Sequence, residues 1–264
     1  MRQTHALLDW SRSRYYAAPP PSAVVDDTLA REVLRIHRRS RGSCGARTLS
    51  QGLRRVGLDV GRERATTVMR LMNLTAKKRR FKHYSRNTKP APAENWLNRQ
   101  FDPGLPNQAW AGDITYIPTR QGWLYLAIVV DLFSRRIIGW ATSPVADARL
   151  ALEASELAFA NRQPDAGVIM HSDQGCQYTS DLYVAHLRHH GAVQSMSRKG
   201  NCWDNAVVER IFRSLKQEWI DEPYPTREHA RHDVIDYVAH YYNHHRLHST
   251  LGYRPPAEFE AIAA

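Results

Sequence analysis

The sequence predicts a mixed α/β domain preceded by a small all-α domain, and three observations carry that prediction. The first is charge: residues 1–100 hold 22 Lys and Arg against 7 Asp and Glu, whereas residues 101–264 hold 15 against 19. The second is a stretch poor in apolar side chains, residues 84–106, that contains Pro90, Pro92, Pro103 and Pro106 and reads as a linker. The third is a change of hydrophobic period, from helical spacing before this stretch to alternating, strand-like runs after it. A net charge of +11 over 264 residues points to a polyanionic partner. The 42% hydrophobic content with seven Trp argues for a core and against disorder. No apolar run approaches the roughly 18–20 residues of a membrane span, and the N-terminus has no apolar signal core. Cys44, Cys176 and Cys202 are odd in number and far apart, which excludes a disulfide framework and suits a reducing compartment. A soluble, cytoplasmic protein without membrane partners is expected.

Residues 1–22, ending in Pro19-Pro20-Pro21, read as a tail. A first helix starts near Asp26 and Asp27, carries Leu29, Val33, Leu34 and Ile36, and is broken by Ser40-Arg41-Gly42-Ser43. A second helix fits Ala46–Val56, with Leu49, Leu53 and Val56 on one side. After the turn Gly57–Gly61, a third helix over Arg62–Met72 buries Ala65, Val68, Met69 and Met72 and exposes Arg62, Arg64, Thr66, Thr67 and Arg70. Three short helices with a Gly-bearing turn before the last meet the requirements of a helix-turn-helix, here spanning residues 23–83. Arg62, Arg64, Thr67 and Arg70 are therefore candidate DNA contacts, as are Lys77, Lys78, Arg79 and Arg80 in the basic run that follows.

Beyond the linker, residues 107–264 form the second domain, with a helical extension at its C-terminus. Trp110–Pro118, Trp123–Phe133 and Arg136–Ser143 read as a three-strand antiparallel meander. A helix (Arg149–Asn161), a strand (Val168–His171), a helix (Ser180–His190) and a strand (Ala192–Met196) follow, then helices over Asn205–Ile220 and Arg227–His244. This order describes an α/β domain of ribonuclease-H type.

Three acids are placed unlike the others. Asp113 lies inside the first strand, on the face of Ala111 and Thr115 by alternation. Asp173 terminates the fourth strand, where α/β sheets commonly present ligands. Strands one and four are neighbours in this topology, so the two carboxylates would be close, and a divalent metal is the usual way to relieve such repulsion. Glu209 sits in the second turn of a helix whose start is marked by Asp204-Asn205, beside the stripe Val208, Ile211, Phe212, Leu215 and Trp219. At about 100° per residue, Arg213 and Lys216 follow Glu209 along one edge toward a phosphate backbone.

The spacing is specific: 35 residues separate Asp173 from Glu209, with Asp113 on an early strand. So are the surrounding words, Trp110–Tyr116, Val130–Arg135, His171–Gly175 with Gln177–Ser180, Gly200–Ala206, and the tail Tyr242–Tyr253. Together they resemble the second-frame (OrfB-type) transposases of bacterial insertion sequences of the IS-three group, whose integrase catalytic core belongs to the retroviral integrase superfamily. The resemblance covers about residues 25–260. It implies metal-dependent DNA strand cleavage and strand transfer, with Asp113, Asp173 and Glu209 as the catalytic, metal-holding acids. It also implies two Mg²⁺ or Mn²⁺ ions per site and Lys216 near donor DNA.

The implied partners are double-stranded DNA (transposon ends and target), further copies of the chain on that DNA, and an upstream-frame partner or fusion. Bacterial nucleoid DNA is the implied location. His171, beside Asp173, would brace the site from behind or pack in the core; Asp131 reads as a structural hydrogen-bonding acid. His240, His244 and His248 fall at a spacing that can bind zinc, but without a fourth ligand they read as a surface contact. A plain nuclease of the same fold, or a DNA-binding regulator without activity, are the alternatives that the acids alone leave open.

Overall fold

The computed structural model describes residues 25–77, 93–198 and 202–263, which divide into two units between Lys77 and Lys78. The expected tail, Lys78, Arg79 and Arg80, and the first half of the expected linker lie outside the described residues.

The first unit has three helices: α1 (Asp27–Arg39), α2 (Ala46–Arg55) and α3 (Arg62–Leu71). The Asp26 side chain accepts from the Leu29 N–H at 2.8 Å, an N-cap that satisfies one of the helix's orphan donors. His37, Arg38 and Arg39 in the last turn of α1 oppose the negative end of its dipole. Leu29, Val33, Leu49, Leu53, Val60, Ala65, Val68 and Met69 form the core. The Ser50 hydroxyl donates to the Val60 carbonyl at 2.6 Å and ties α2 to the turn that launches α3. Val56 departs from the expectation: it caps α2 and is 44% exposed, because the helix ends one residue before it and the chain turns away at Gly57.

The second unit is built on a five-stranded sheet of β1 (Ala109–Thr119), β2 (Gly122–Asp131), β3 (Ile137–Ser143), β4 (Ile169–Ser172) and β5 (Val193–Met196), in the order β3-β2-β1-β4-β5. The first three are an antiparallel meander, and β4 runs parallel to both β1 and β5. Helices α4 (Ala148–Arg162) and α5 (Asp181–His189) cover one face. They start on side-chain caps from Asp147 to Leu150 and from Ser180 to Tyr183. Helices α6 (Ala206–Glu218) and α7 (Arg227–Ile235) cover the other, with α7 running on into a π-helical segment, Asp236–Tyr242. A last helix, α8 (Pro256–Ala263), closes the chain. The mixed sheet between two helical layers is the ribonuclease-H-type fold that the element order predicted.

Two parts expected to be peripheral are integrated. Residues 93–106, within the expected linker, run along the sheet edge: Leu97 is buried, its N–H donates to Ser195 Oγ at 3.1 Å, and Met196 N–H donates to the Glu94 carbonyl at 3.1 Å. The tail that read as a surface contact is an inward clamp. Asn243 bonds both the N–H and the carbonyl of Ile137, and Arg246 bonds Glu218 and Ser214 on α6. His248 lies past the helix, its ring edge-on to Tyr242, so the three histidines do not share one helical face.

Candidate active site

The β1–β4 pairing brings two of the three singled-out acids together. Ala111 stands opposite His171, so continuing the parallel register by two residues sets Asp113 opposite Asp173. Both carboxylates line one small pocket with Ile114, Thr115, Tyr116, Tyr125, Ala146, Gln177 and Tyr178. β4 ends at Ser172, so β1 has no sheet partner on this side beyond Ala111 and its edge is exposed to the pocket.

Each carboxylate is aimed by a backbone amide. Asp113 Oδ1 accepts from the Ile114 N–H at 2.7 Å, and Asp173 Oδ1 accepts from the Gly175 N–H at 2.9 Å. A Cβ at Gly175 would lie 2.9 Å from both Asp173 Oδ1 and Gln177 Oε1, so a larger residue there would displace the Asp173 carboxylate or the Gln177 amide. The back wall is Tyr178, fully enclosed and edge-on to Tyr183. Burial, then the charges of Asp113, Tyr183 and Asp173, push its hydroxyl well above the usual phenol range, so it stays neutral. Tyr178 belongs to a word noted in the sequence, yet its place between the acids was not foreseen.

Glu209 sits in the first turn of α6 and is half-buried, not in the second turn as expected. The helix begins later because a 3-10 turn, Cys202–Asn205, precedes it. Neither residue expected to mark the start caps it by side chain. Asn205 donates to the Gly112 carbonyl at 3.3 Å, fastening the start of α6 to β1 beside Asp113. Asp204 is buried and bonds Asn95, Arg99 and Arg198. Burial pushes its pKa up, but Arg198 and Arg99 outweigh that and hold the carboxyl well below the usual range. Asp204 was legible only as an acid near a helix start, because two of its partners, Asn95 and Arg99, are distant in sequence.

Glu209 is not among the residues lining the pocket of Asp113 and Asp173. Among the described residues no group of three or more His, Cys, Asp and Glu side chains is arranged to hold a metal ion. Further along α6, Arg213 is exposed, and the Lys216 ammonium lies 4.2 Å from the ring centroid of Tyr116, a pocket residue. His171 is fully buried, its Nδ1 2.9 Å from Ser195 Oγ and its Nε2 3.2 Å from Ser197 Oγ. Burial lowers its pKa to about 4, so the ring is neutral and braces β4 against β5. Asp131 is likewise internal, accepting from the N–H groups of Asn107 and Phe133.

In the first unit Arg62, Arg64 and Arg70 are exposed on α3. Thr67 is half-buried and its hydroxyl donates to the Glu63 carbonyl at 3.2 Å. Lys77 is exposed and its backbone N–H is bound to the Gly42 carbonyl.

Residues 104–202 and 190–256 each match a family described as Integrase core domain, and residues 25–82 match one described as HTH-like domain. Fold and site thus define the class: an integrase-type core with a helix-turn-helix-like domain before it. The chain is 39% identical over 245 residues to the transposase for insertion sequence element IS904 of Lactococcus lactis subsp. lactis (strain IL1403), covering 92% of this chain and 97% of that relative. It is 43% identical over 231 residues to transposase InsF for insertion sequence IS3A of Escherichia coli (strain K12), covering 86% and 80%. The chain belongs to the IS3-type insertion-sequence transposases. Among solved structures it is similar to the HTLV-2 integrase catalytic core domain in complex with magnesium, at 17% identity and a TM-score of 0.45, covering 59% of this chain and 97% of that one.

Proposed function

We propose that this chain cleaves DNA strands at transposon ends and joins them to target DNA, with Asp113, Asp173 and Glu209 as its catalytic carboxylates. The observation that carries the reading is the convergence of Asp113 and Asp173, from two adjacent strands, on one pocket. The candidate ligands are all carboxylates, hard oxygen donors that fit Mg²⁺ or Mn²⁺ in kind. Asp113, Asp173 and Glu209 would hold two such ions, which supply activation of the attacking oxygen and stabilisation of the leaving oxygen in an in-line displacement at phosphorus.

The chain's own residues prepare that chemistry. The Ile114 and Gly175 amides hold the two carboxylates in fixed orientations, which lowers the reorganisation needed on binding. Tyr178, kept neutral, walls the site without adding charge. Lys216 and Arg213 continue from Glu209 along α6 and receive the phosphates that flank the reacting one. Arg62, Arg64, Thr67, Arg70 and Lys77, with Lys78, Arg79 and Arg80 beyond them, are assigned to end binding through phosphates and base edges. His171 acts from behind the site by fixing the end of β4 from which Asp173 projects.

The reading extends to the working assembly: copies of the chain acting together on bacterial nucleoid DNA in the cytoplasm, with an upstream-frame segment as partner or fusion. The test is strand cleavage and joining on labelled terminal-repeat DNA by the chain and by Asp113→Asn, Asp173→Asn and Glu209→Gln. Loss of cut and joined product with end binding retained is expected. Joining at the unsubstituted rate by any one of them would overturn its assignment.

A further inference from the structure

We infer that the outer rim of the pocket, Trp123 with Tyr116 and Lys216, is a stacking platform for an unpaired nucleotide of the DNA being processed. The inference rests on the DNA-processing reading above and names the form of DNA that this rim takes.

Trp123 opens β2 and is 48% exposed, unusual for a side chain whose burial dominates most cores. Its mount is rigid. Thr119 Oγ1 donates to the Gly122 carbonyl at 2.5 Å and closes the β1–β2 hairpin. Arg120 N–H donates to the Tyr224 carbonyl at 2.8 Å, and Arg227 donates to Gln121 Oε1 and to the Trp123 carbonyl, both at 3.1 Å. Gly122 makes the turn with a φ of +99°, where any Cβ would also meet the Arg227 guanidinium at 3.0 Å. An exposed indole held this firmly loses little conformational freedom on binding, which favours recognition.

The ring's surroundings say what it would recognise. Trp123 stands edge-on to Tyr116, with centroids 4.9 Å apart and planes at 74°, so an indole face remains for a further ring. Tyr116 carries the Lys216 ammonium 4.2 Å from its centroid and lines the pocket of Asp113 and Asp173. Aromatic faces beside a cation are the chemistry that takes a base and its phosphate without reading sequence. A base inside a duplex has both faces covered by its neighbours, so the rim suits a nucleotide that has left the stack. Tyr116 follows Asp113 by three residues, about 10 Å along a strand, or roughly three nucleotides of stacked DNA at about 3.4 Å each. The platform would thus hold a strand that has separated from its partner within a few nucleotides of the reacting phosphate.

The test uses the full chain and two probes: a blunt duplex of terminal-repeat DNA, and the same duplex with a short single-stranded 3′ tail containing 2-aminopurine. The chain should bind the tailed probe roughly 10-fold more tightly than the blunt one, the scale of one base–aromatic stack, and quench the 2-aminopurine. Trp123→Ala should lose both the preference and the quenching while holding the blunt duplex within about 2-fold, and Trp123→Phe should keep most of each. A tailed preference that survives Trp123→Ala, or its absence from the unsubstituted chain while blunt duplex binds, overturns the platform alone. Failure to bind either probe overturns the DNA reading beneath it. If Trp123→Ala changes the oligomeric state and leaves quenching intact, the rim serves a second copy of the chain and the platform is again overturned.

Discussion

Two groups of carboxylates in the second unit make a useful contrast. Asp131, Asp204 and Glu260 are enclosed by the protein and answered by arginines. Glu260 meets Arg136 at 3.2 Å and Arg162 at 2.5 Å, Asp131 stands 3.7 Å from Arg162, and Asp204 meets Arg198 and Arg99 at 3.0 and 2.8 Å. Asp113 and Asp173 are half-buried at a pocket and are oriented by backbone amides. The first arrangement neutralises acids inside the fold. The second holds acids in place at a surface where they can meet a ligand. A carboxylate's role is therefore read from what surrounds it, and composition or helix position says little.

The contrast can be broken from either side. The largest effect belongs to the pocket: Asp113→Asn should lower the rate of DNA joining by roughly 1,000-fold or more, with a melting temperature at or above the parent's. A large fall in melting temperature would move Asp113 into the structural group. Glu260→Ala should do the reverse. Burial pushes the pKa of Glu260 up, but Arg162 and Ser134 hold it below the ordinary range. Its loss takes from the Arg162 guanidinium two hydrogen bonds to a carboxylate, leaving Asp131, at 3.7 Å, as its acidic partner. Removing one partner of such a pair costs about 3 kcal/mol, or on the order of 10 °C in a calorimetric melt, with the joining rate per folded molecule retained.

A smaller effect sharpens the tail's new role as a clamp. His248 is held down to about 3 by burial and by Arg246, Arg135 and Arg210. Its folded value lies below its unfolded one, so the unfolded chain binds the extra proton and stability falls as pH drops below about 6.5 toward about 3. Between pH 7 and 5 this amounts to about 1–2 kcal/mol. His248→Phe should remove that share of the acid sensitivity in melts at the two pH values, while leaving pH 7 stability almost unchanged. A surface histidine would make no such difference. The smallest effect lies in the first unit. Arg64→Ala or Arg70→Ala should weaken duplex binding and lower the salt slope of log K by about 1 each.

Much of the fold was legible because each element carries its own local signal. The meander shows as three β-rich runs, and α4 shows as an Ala/Leu/Glu-rich run behind Asp147. The proximity of Asp113 and Asp173 followed from topology alone. What escaped was whatever depends on partners remote in the chain. Asp204 reaches back to Asn95 and Arg99, and Glu260 to Ser134 and Arg136. Tyr178 reaches the acids through a loop whose course no periodicity encodes. Leu97 reads as linker because a few scattered apolar residues among prolines give no period, yet it is buried in the core. The tail histidines misled for a related reason: the spacing presumes one regular helix through all three, but the helix is π-helical over Asp236–Tyr242 and is over before His248.

The central claim is that the pocket acids do chemistry and the arginine-enclosed acids hold the fold. The most direct test measures joined product and melting temperature side by side for Asp173→Asn and Glu260→Ala, on the same terminal-repeat DNA. The account predicts no joined product from a fully stable Asp173→Asn, and joining from a Glu260→Ala that melts early. Joining by Asp173→Asn near the unsubstituted rate would contradict it.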